Sequence, residues 1–372
     1  AVQLNNIGNE KITYERTGRF NIGLDSRLLD NRLAVSANFY INHTSNLLTL
    51  KNFSSPVAGV NSYWSNGGSL ENRGFEINVS GKPVVARNFT LELGASLGHY
   101  NNEIKSLPND SRLSVNGVEG AAQGFTSSIY GTDNIATMVG YSAGVFYGYK
   151  TNGVLASDAD AKAAGNGDYL YMLDETGARQ NFKAGDVRFV DLNGDGCIDE
   201  KDKTVIGNPN PDIYGNLFAT VNWGNFRLSA VFGYSLGNDV YNYQRSVLEG
   251  GSRFFNQTTA LNGRWRAEGQ QTDIPRATYG DPMGNGRFSD RWIEDGSYLR
   301  MRSLNLTYKV PVNLSWLQGL QVWAEANNLF TITKYLGGDP EFAASNSVLY
   351  QGIDTGCISV GRSFSLGLKI NL

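Results

Sequence analysis

The sequence predicts an all-β protein, an antiparallel transmembrane β-barrel segment of about nine strands with long extracellular loops. Three observations indicate this fold class. Apolar and polar residues alternate in segments of about ten residues or more, long enough to cross a bilayer. Short and long connections between these segments alternate strictly along the chain. The composition, with 44 Gly, 19 Tyr and 18 Phe but only 9 Pro, suits many strands joined by hairpins.

Nine segments alternate with the period of two that is typical of a strand with one apolar face. In the second segment, the odd positions from Leu33 to Ile41 are apolar, whereas the even positions from Arg32 to Asn42 are mostly polar. In chain order, the predicted strands cover 14–27, 32–43, 71–81, 88–103, 212–223, 225–236, 297–309, 319–329 and 360–372.

The seventh predicted strand, 297–309, changes its apolar face midway, from Leu299 and Met301 to Leu304 and Leu306. A β-bulge, which inserts one extra residue into a strand, would produce this change. The alternative is that the first half of the strand stands above the membrane.

The connections are sorted by length along the chain. Outer-membrane barrels place short turns on the periplasmic side and long loops outside. The final strand should therefore run inward. Short turns are predicted at 29–31, 82–87, 224 and 310–318, and long loops at 44–70, 104–211, 237–296 and 331–359.

A soluble β-sandwich is the alternative fold, because two stacked sheets would show the same alternation of residues. Strand length and the sorted loops favour the barrel, as do aromatic residues near the ends of the predicted strands. These residues are Tyr40, Phe89, Tyr100, Trp223, Phe226, Tyr308, Trp316 and Trp323.

Charge and reactive residues argue against several other classes of protein. The net charge of −3 offers no basic surface, so no nucleic-acid partner is expected. Cys197 and Cys357 make no disulfide framework; free thiols are expected, although a disulfide between them is conceivable. His43 and His99 lie near strand ends, where a structural role at the membrane interface is expected. No catalytic arrangement is recognisable, so we expect no enzymatic activity.

One segment, 191–202, has the spacing of a calcium-binding loop. Oxygen ligands fall at positions 1, 3, 5, 9 and 12 of twelve residues, with Gly196 at position 6, where such loops turn sharply. Position 7 would contribute its backbone carbonyl. The alternative is an acidic loop closed by Asx turns without an ion. The predicted ligands of a structural Ca²⁺ are Asp191, Asn193, Asp195, Cys197, Asp199 and Asp202.

Several blocks of the sequence resemble the SusC/RagA-type TonB-dependent outer-membrane transporters of Bacteroidetes. Together they extend over essentially the whole chain. The blocks are YERTGRFNIGLD (14–25), SLENRGFEI (69–77), GDVRFVDLNGDGCIDEKDKTVIGNPNPDIYG (185–215), YLRMRSLNLTYKVP (298–311) and ANNLFTITKYLGGDPE (326–341).

This resemblance implies a barrel of about 22 strands, of which residues 1–372 would form the last nine. The plug domain and the earlier strands are expected to lie outside this chain, and the 104–211 loop to be extracellular. A SusD-like surface lipoprotein and the TonB complex, acting through the missing N-terminal part, are the implied protein partners. The implied location is the cell outer membrane, in contact with its lipid, and the implied activity is import of oligosaccharide or peptide cargo.

The long loops are rich in aromatic residues, whose faces stack on sugar rings. Trp64 and Tyr147 are the predicted cargo contacts. The alternative is that most of these rings pack the loops together. Arg300 and Arg302 would either project into the lumen near a carboxylate of the plug domain or form an ordinary ion pair in the wall. The alternative function is a soluble, calcium-stabilised carbohydrate-binding or adhesin-like β-protein.

Overall fold

The computed structural model of the chain describes residues 8–57, 60–108, 111–129, 132–312, 316–342, 344, 347 and 350–371. Nine long antiparallel strands form one sheet, which we call the wall, and consecutive strands of the wall pair with each other. All nine predicted strands are confirmed. They are β1 (Arg16–Leu28), β2 (Leu33–Ser45), β3 (Ser69–Ala86), β4 (Phe89–Ser106), β5 (Ile213–Trp223), β6 (Phe226–Leu236), β7 (Tyr298–Val310), β8 (Gly319–Asn327) and β9 (Ser363–Asn371).

The clearest error of the predicted boundaries lies at the end of β3. The sequence predicted a turn at 82–87, whereas β3 continues to Ala86. Its register with β4 skips from Gly81 to Val84, so Lys82 and Pro83 form a bulge. A bulge tolerates Pro because one ladder hydrogen bond is already missing there.

The predicted bulge in β7 is confirmed at Arg302. On β6, Val231 pairs with Ser303 and the next residue, Phe232, pairs with Met301, so Arg302 has no partner on that strand. The extra residue moves the apolar face from odd to even positions. The alternation therefore continues along the whole strand within the sheet.

One face of the wall is apolar from its first strand to its last. Ala37, Ile77 and Leu97 stand side by side on three adjacent strands, and Ala326 pairs with Phe364 at the other end of the sheet. Among the described residues no second sheet stacks on this face, since the wall forms one continuous sheet of its own and many of these side chains are solvent-exposed. The two-layer sandwich alternative is therefore wrong.

The opposite, polar face of the wall carries several aromatic rings, each placed over a glycine of the neighbouring strand. Phe218 pairs with Gly94 and Tyr214 with Gly98, and in both cases a Cβ on the glycine would collide with the ring. The same arrangement joins Tyr40 to Gly74 and Trp323 to Gly367. Glycine is required at these positions because the ring fills the space of its missing side chain.

The wall is an open sheet. β1 and β9 each pair with one wall neighbour, and among the described residues nothing pairs with their other edges. The turns after β1, β3, β5 and β7 leave one end of the sheet and the long loops leave the other. Leu29, Asp30 and Asn31 all have positive φ in the first turn. No helix within the described ranges is long and apolar enough to span a membrane.

The long loops contain their own secondary structure. The loop after β2 forms a hairpin of Leu48–Val57 and Val60–Asn66. The loops at 107–212, 237–297 and 328–362 pack together, and we call them the loop body. Its strands are Arg112–Val115, Val118–Ile129, Thr132–Met138, Val145–Tyr149, Thr151–Val154, Tyr171–Leu173, Arg179–Asn181, Val187–Phe189, Lys203–Gly207, Asp239–Asn242, Ile293–Asp295 and Ile353–Asp354. The short strand Thr331–Thr333 pairs with the start of β7 and so belongs to the wall sheet. Its helices are Asp158–Ala164 and Tyr243–Glu249, with 3₁₀ turns at Glu200–Asp202, Thr259–Gly263 and Asp290–Trp292.

The buried core of the protein lies in the loop body. One cluster includes Tyr149, Phe182 and Phe189, and another includes Phe146 and Trp292. The first cluster also contains Met283 of the 237–297 loop, and the second also contains Ile353 of the 328–362 loop, so the three loops fold as a unit at one end of the wall.

Candidate functional site

Two of the long loops are joined by an ion pair whose carboxylate is buried. The guanidinium of Arg276 donates from Nε and Nη2 to the two carboxylate oxygens of Asp186, both at 2.9 Å. Asn285 donates a third hydrogen bond to the same carboxylate, at 2.9 Å. Asp186 is fully buried, so this bidentate pair fixes the 237–297 loop against the 107–212 loop.

A second ionic network attaches the last long loop to the wall. Arg300 is buried and pairs with Asp339 and with Glu341. Arg302, the bulge residue, donates to Glu341 at 2.5 Å. Of the two possibilities that the sequence left open, the structure therefore shows the ion pair within this chain.

The loop at 191–202 is closed by hydrogen bonds from its own backbone. Asp191 accepts from the N–H groups of Gly194 and Gly196, both at 2.7 Å. Asp195 accepts from Cys197 at 2.8 Å, and Asn193 accepts from Asp195 at 3.0 Å. These are the Asx turns of the alternative reading, and they wrap the chain around the side chain of Asp191.

The last position of this loop, Asp202, is fully buried. Its two oxygens accept from the N–H groups of Leu192 (2.8 Å) and Asp199 (3.0 Å). Burial, together with the charge of Asp191, raises the pKa of Asp202, although these backbone hydrogen bonds oppose the rise. Within the described part of the chain, no three His, Cys, Asp or Glu side chains are grouped tightly enough to form a ready-made metal site.

The two predicted cargo contacts lie in very different surroundings. Trp64 is 46% exposed on the hairpin after β2. Tyr147 is only 3% exposed, and its hydroxyl donates to the carbonyl of Ser114 at 2.9 Å. Burial, and secondly the charge of Glu200, raise the pKa of Tyr147 to about 12. Tyr147 therefore packs the loop body, and cargo contact at this residue stays a prediction that its position does not favour.

Most of the other loop aromatics also pack the loop body. Phe146, Tyr149 and Trp292 are buried, and the ring of Trp265 covers Gly185. Tyr130, another aromatic residue of the predicted 104–211 loop, lies outside the described residues. The alternative reading of the loop aromatics, packing rather than binding, therefore describes most of them.

Sequence reasoning missed an exposed aromatic pair on the 237–297 loop. Phe254 is 92% exposed and Tyr279 is 74% exposed, and their ring centroids lie 5.1 Å apart. Neither residue belongs to a periodic segment, so no pattern marked them. A cavity of about 420 Å³ beside the 191–202 loop was also not predicted; Tyr149, Glu200 and Arg287 line it.

The remaining titratable candidates have structural surroundings. Cys197 is buried, Cys357 is half-buried and both are free thiols, as expected. His99 lies on the apolar face near the loop end of β4, and its Nδ1 is 2.6 Å from the carbonyl oxygen of Asp212. Because a carbonyl only accepts, Nδ1 carries the proton.

Comparison with known proteins gives a consistent result along the whole chain. No family model matches it. The chain is 29% identical to the TonB-dependent receptor P3 of Formosa agariphila over all of its own length, and 30% identical to the TonB-dependent receptor SusC of Bacteroides thetaiotaomicron over 97% of its length. It spans 35% and 32% of these two relatives. The structure superimposes on that of the RagAB peptide importer with a TM-score of 0.74 and 21% identity, covering 99% of this chain and 36% of the other.

Proposed function

We propose that this chain, which belongs to the SusC/RagA-type TonB-dependent receptors and lies in the cell outer membrane, forms part of an energised importer of oligomeric nutrients. It supplies nine strands of the barrel wall and the loop body above them. The chain corresponds to about a third of its relatives, so import is a property of the complete receptor.

The observation that carries this proposal is the continuous apolar face of the wall. Its side chains are exposed across all nine strands, as in the outward rows of Phe20, Ile22 and Leu24 on β1 and Phe364, Leu366 and Leu368 on β9. In water such a face would drive aggregation. In a bilayer it meets acyl chains, while the polar face lines the interior.

The open edges of the wall indicate that the wall is part of a larger barrel. β1 and β9 span 13 and 9 residues, and about half of the backbone groups on an edge strand have no ladder partner. Each unsatisfied group in hydrocarbon costs several kcal/mol, so an open sheet of this size would be unfavourable by tens of kcal/mol. Further strands, by analogy with the family, would pair with these edges and close the barrel, and a plug domain would lie inside it.

Partners and cargo follow from the family and belong to the same proposal. A SusD-like lipoprotein would cover the loop body, and TonB would act through the part of the receptor that precedes this chain. Oligosaccharides are the first choice of cargo and peptides the second. The exposed rings of Trp64, Phe254 and Tyr279 are suited to stacking on sugar rings.

Uptake in cells tests the proposal. A strain lacking the receptor gene should fail to accumulate fluorescently labelled oligosaccharides or peptides, and the complete receptor should restore uptake. A protonophore that collapses the proton-motive force should abolish the restored uptake. Restored uptake that persists with the protonophore, or a receptor that extracts into buffer without detergent, would contradict the proposal.

We also infer that the 191–202 loop binds a structural calcium ion. The support is the ligand spacing together with the fully buried carboxylate of Asp202, which has no ion pair among the described contacts. Bound calcium would offset two of the four negative charges that the aspartates of the loop carry. The loop would then act as a clamp on the 107–212 loop rather than as a sensor.

Calcium titration and chelation of the complete receptor test this inference. We expect protease resistance of the loop body to fall on chelation, and calcium affinity to fall at least about tenfold in Asp202→Asn. The matched control is Asp168→Asn, because Asp168 pairs with Arg179 on the surface of the same loop. Equal resistance with and without calcium would disprove the clamp.

A further inference from the structure

A notch lies at the loop end of the wall, and residues of its apolar face form part of the lining. β5 pairs with β4 only as far as Gly98, and beyond this point β4 and the segment before β5 diverge. The gap has a volume of about 310 Å³. Residues that line it include Phe39, Arg73, Phe75, His99, Asn101 and Asp212.

The side chains around the notch form two rows across the strands. Phe39, Phe75 and His99 stand side by side in one row, and the rings of Phe75 and His99 lie 5.5 Å apart. The next row toward the loops contains Ile41 and Arg73. Arg73 therefore stands at the height of the last apolar residue of β2, where hydrocarbon gives way to headgroups.

Arg73 has no partner within the described part of the chain. It is exposed, and no hydrogen bond or ion pair of its guanidinium is present there. The carboxylates one row further out, Glu71 and Glu103, both pair with Lys105, at 3.6 and 2.8 Å. A guanidinium on the membrane side of a barrel is costly to leave without an anion.

The remaining polar groups of the notch are compatible with an anion beside Arg73. His99 donates from Nδ1 to the carbonyl of Asp212, which leaves Nε2 facing away from that bond as a second polar group. The carboxylate of Asp212 lies against Gly237. Apolar rings below and a free cation above match a molecule with an acyl chain and a phosphate.

We propose that this notch binds a phosphorylated lipid of the outer leaflet, with the phosphate on Arg73 and an acyl chain against Phe39 and Phe75. The site faces the membrane, so its ligand comes from the bilayer and not from cargo in the lumen. The proposal rests on the membrane location of the wall and not on the transport activity.

Native mass spectrometry of the complete receptor in dodecyl maltoside tests the site, with bisphosphorylated lipid A as the probe. Arg73→Gln should weaken binding about five- to tenfold, since one basic residue near a lipid phosphate contributes about 1 kcal/mol or more. The matched control is Arg16→Gln, because Arg16 is an exposed arginine on the same face and pairs with Ser45 further out. It should change binding less than about twofold.

Three results would overturn the proposal. The first is that Arg73→Gln and the wild type bind lipid A equally well. The second is that dephosphorylated lipid A binds as well as the bisphosphorylated form. The third is that millimolar inorganic phosphate alone displaces the lipid, which would indicate a simple anion site. Nutrient uptake by Arg73→Gln should stay at the wild-type level. Loss of lipid binding and loss of transport are therefore distinguishable.

Discussion

The wall and the loop body place the same residue types in opposite positions. On β9 of the wall, Leu366 is 79% exposed, whereas Ile353 in the loop body is completely buried. The loop body has the arrangement of a soluble protein, with its aromatic and aliphatic side chains inside. The wall has the arrangement of a membrane protein, with these side chains outside.

This contrast means that different forces hold the two regions together. The loop body is stabilised mainly by removal of apolar surface from water. In the wall, burial within the chain contributes little, and the strands are held by the ladder hydrogen bonds that have no competing water in hydrocarbon. A substitution should therefore have a different effect according to the region and the face that it changes.

Removal of a core ring in the loop body should have the largest effect. Trp292 is buried beside Phe146, and its Nε1 donates to the carbonyl of Arg287 at 3.1 Å. Trp292→Ala should lower the free energy of opening of the loop body by about 3–5 kcal/mol. Hydrogen exchange of loop amides in the detergent-purified receptor measures this.

The control for this substitution is Trp223→Ala in the wall. Trp223 is 68% exposed at the short-turn end of β5, so its removal should leave exchange in the loop body unchanged. Comparable loosening of the loop body by both substitutions would remove the distinction between the two regions.

Substitutions on opposite faces of one strand should give the next largest difference in stability. Ile77 stands near the centre of the apolar face, between Ala37 and Leu97, and Asn78 follows it on the polar face. Ile77→Arg should cost about 2–4 kcal/mol in a bilayer, whereas Asn78→Arg should cost little. Urea titration of the receptor folded into lipid vesicles compares them, and equal midpoints would mean that the faces are wrongly assigned.

The wall could be predicted from the sequence because its signal is local. Alternation with a period of two marks each strand and its apolar face, and the change of face within β7 marked the bulge at Arg302. The end of β3 was missed because Pro83 indicates a turn, whereas the structure accommodates it in a bulge. A single sequence does not distinguish these two uses of proline.

The loop body could not be predicted because its contacts join distant parts of the chain. Asp186 meets Arg276 across 90 residues, and the strand Val145–Tyr149 pairs with Lys203–Gly207. Neither contact leaves a periodic pattern. Burial of Tyr147 depends on such contacts, so its aromatic ring was read as a cargo contact, whereas the spacing of the 191–202 loop was visible because its residues are adjacent.

A substitution that crowds the polar face of the wall should have an intermediate effect on the stability of the wall. A methyl group on Gly94 would enter the ring of Phe218, so Gly94→Ala should destabilise the wall by about 1–3 kcal/mol. The double variant with Phe218→Ala should recover part of this loss. Gly81→Ala is the control, since a Cβ there would be 3.4 Å from the nearest atom; equal effects of both alanines in urea titration would exclude crowding as the cause.

Removal of an ion pair between the wall and the loop body should have the smallest effect on stability. Arg302 and Glu341 form an ion pair at 2.5 Å, but their side chains are 38% and 32% exposed. Water screens such a pair and holding both side chains in place costs entropy, so the coupling energy should be only about 0.2–1 kcal/mol. A double-mutant cycle with Arg302→Gln and Glu341→Gln measures it from the rate of proteolysis within 334–360. A coupling energy above about 2 kcal/mol would show that this ion pair is less accessible to water than its side-chain exposure indicates, because only a desolvated pair reaches that strength.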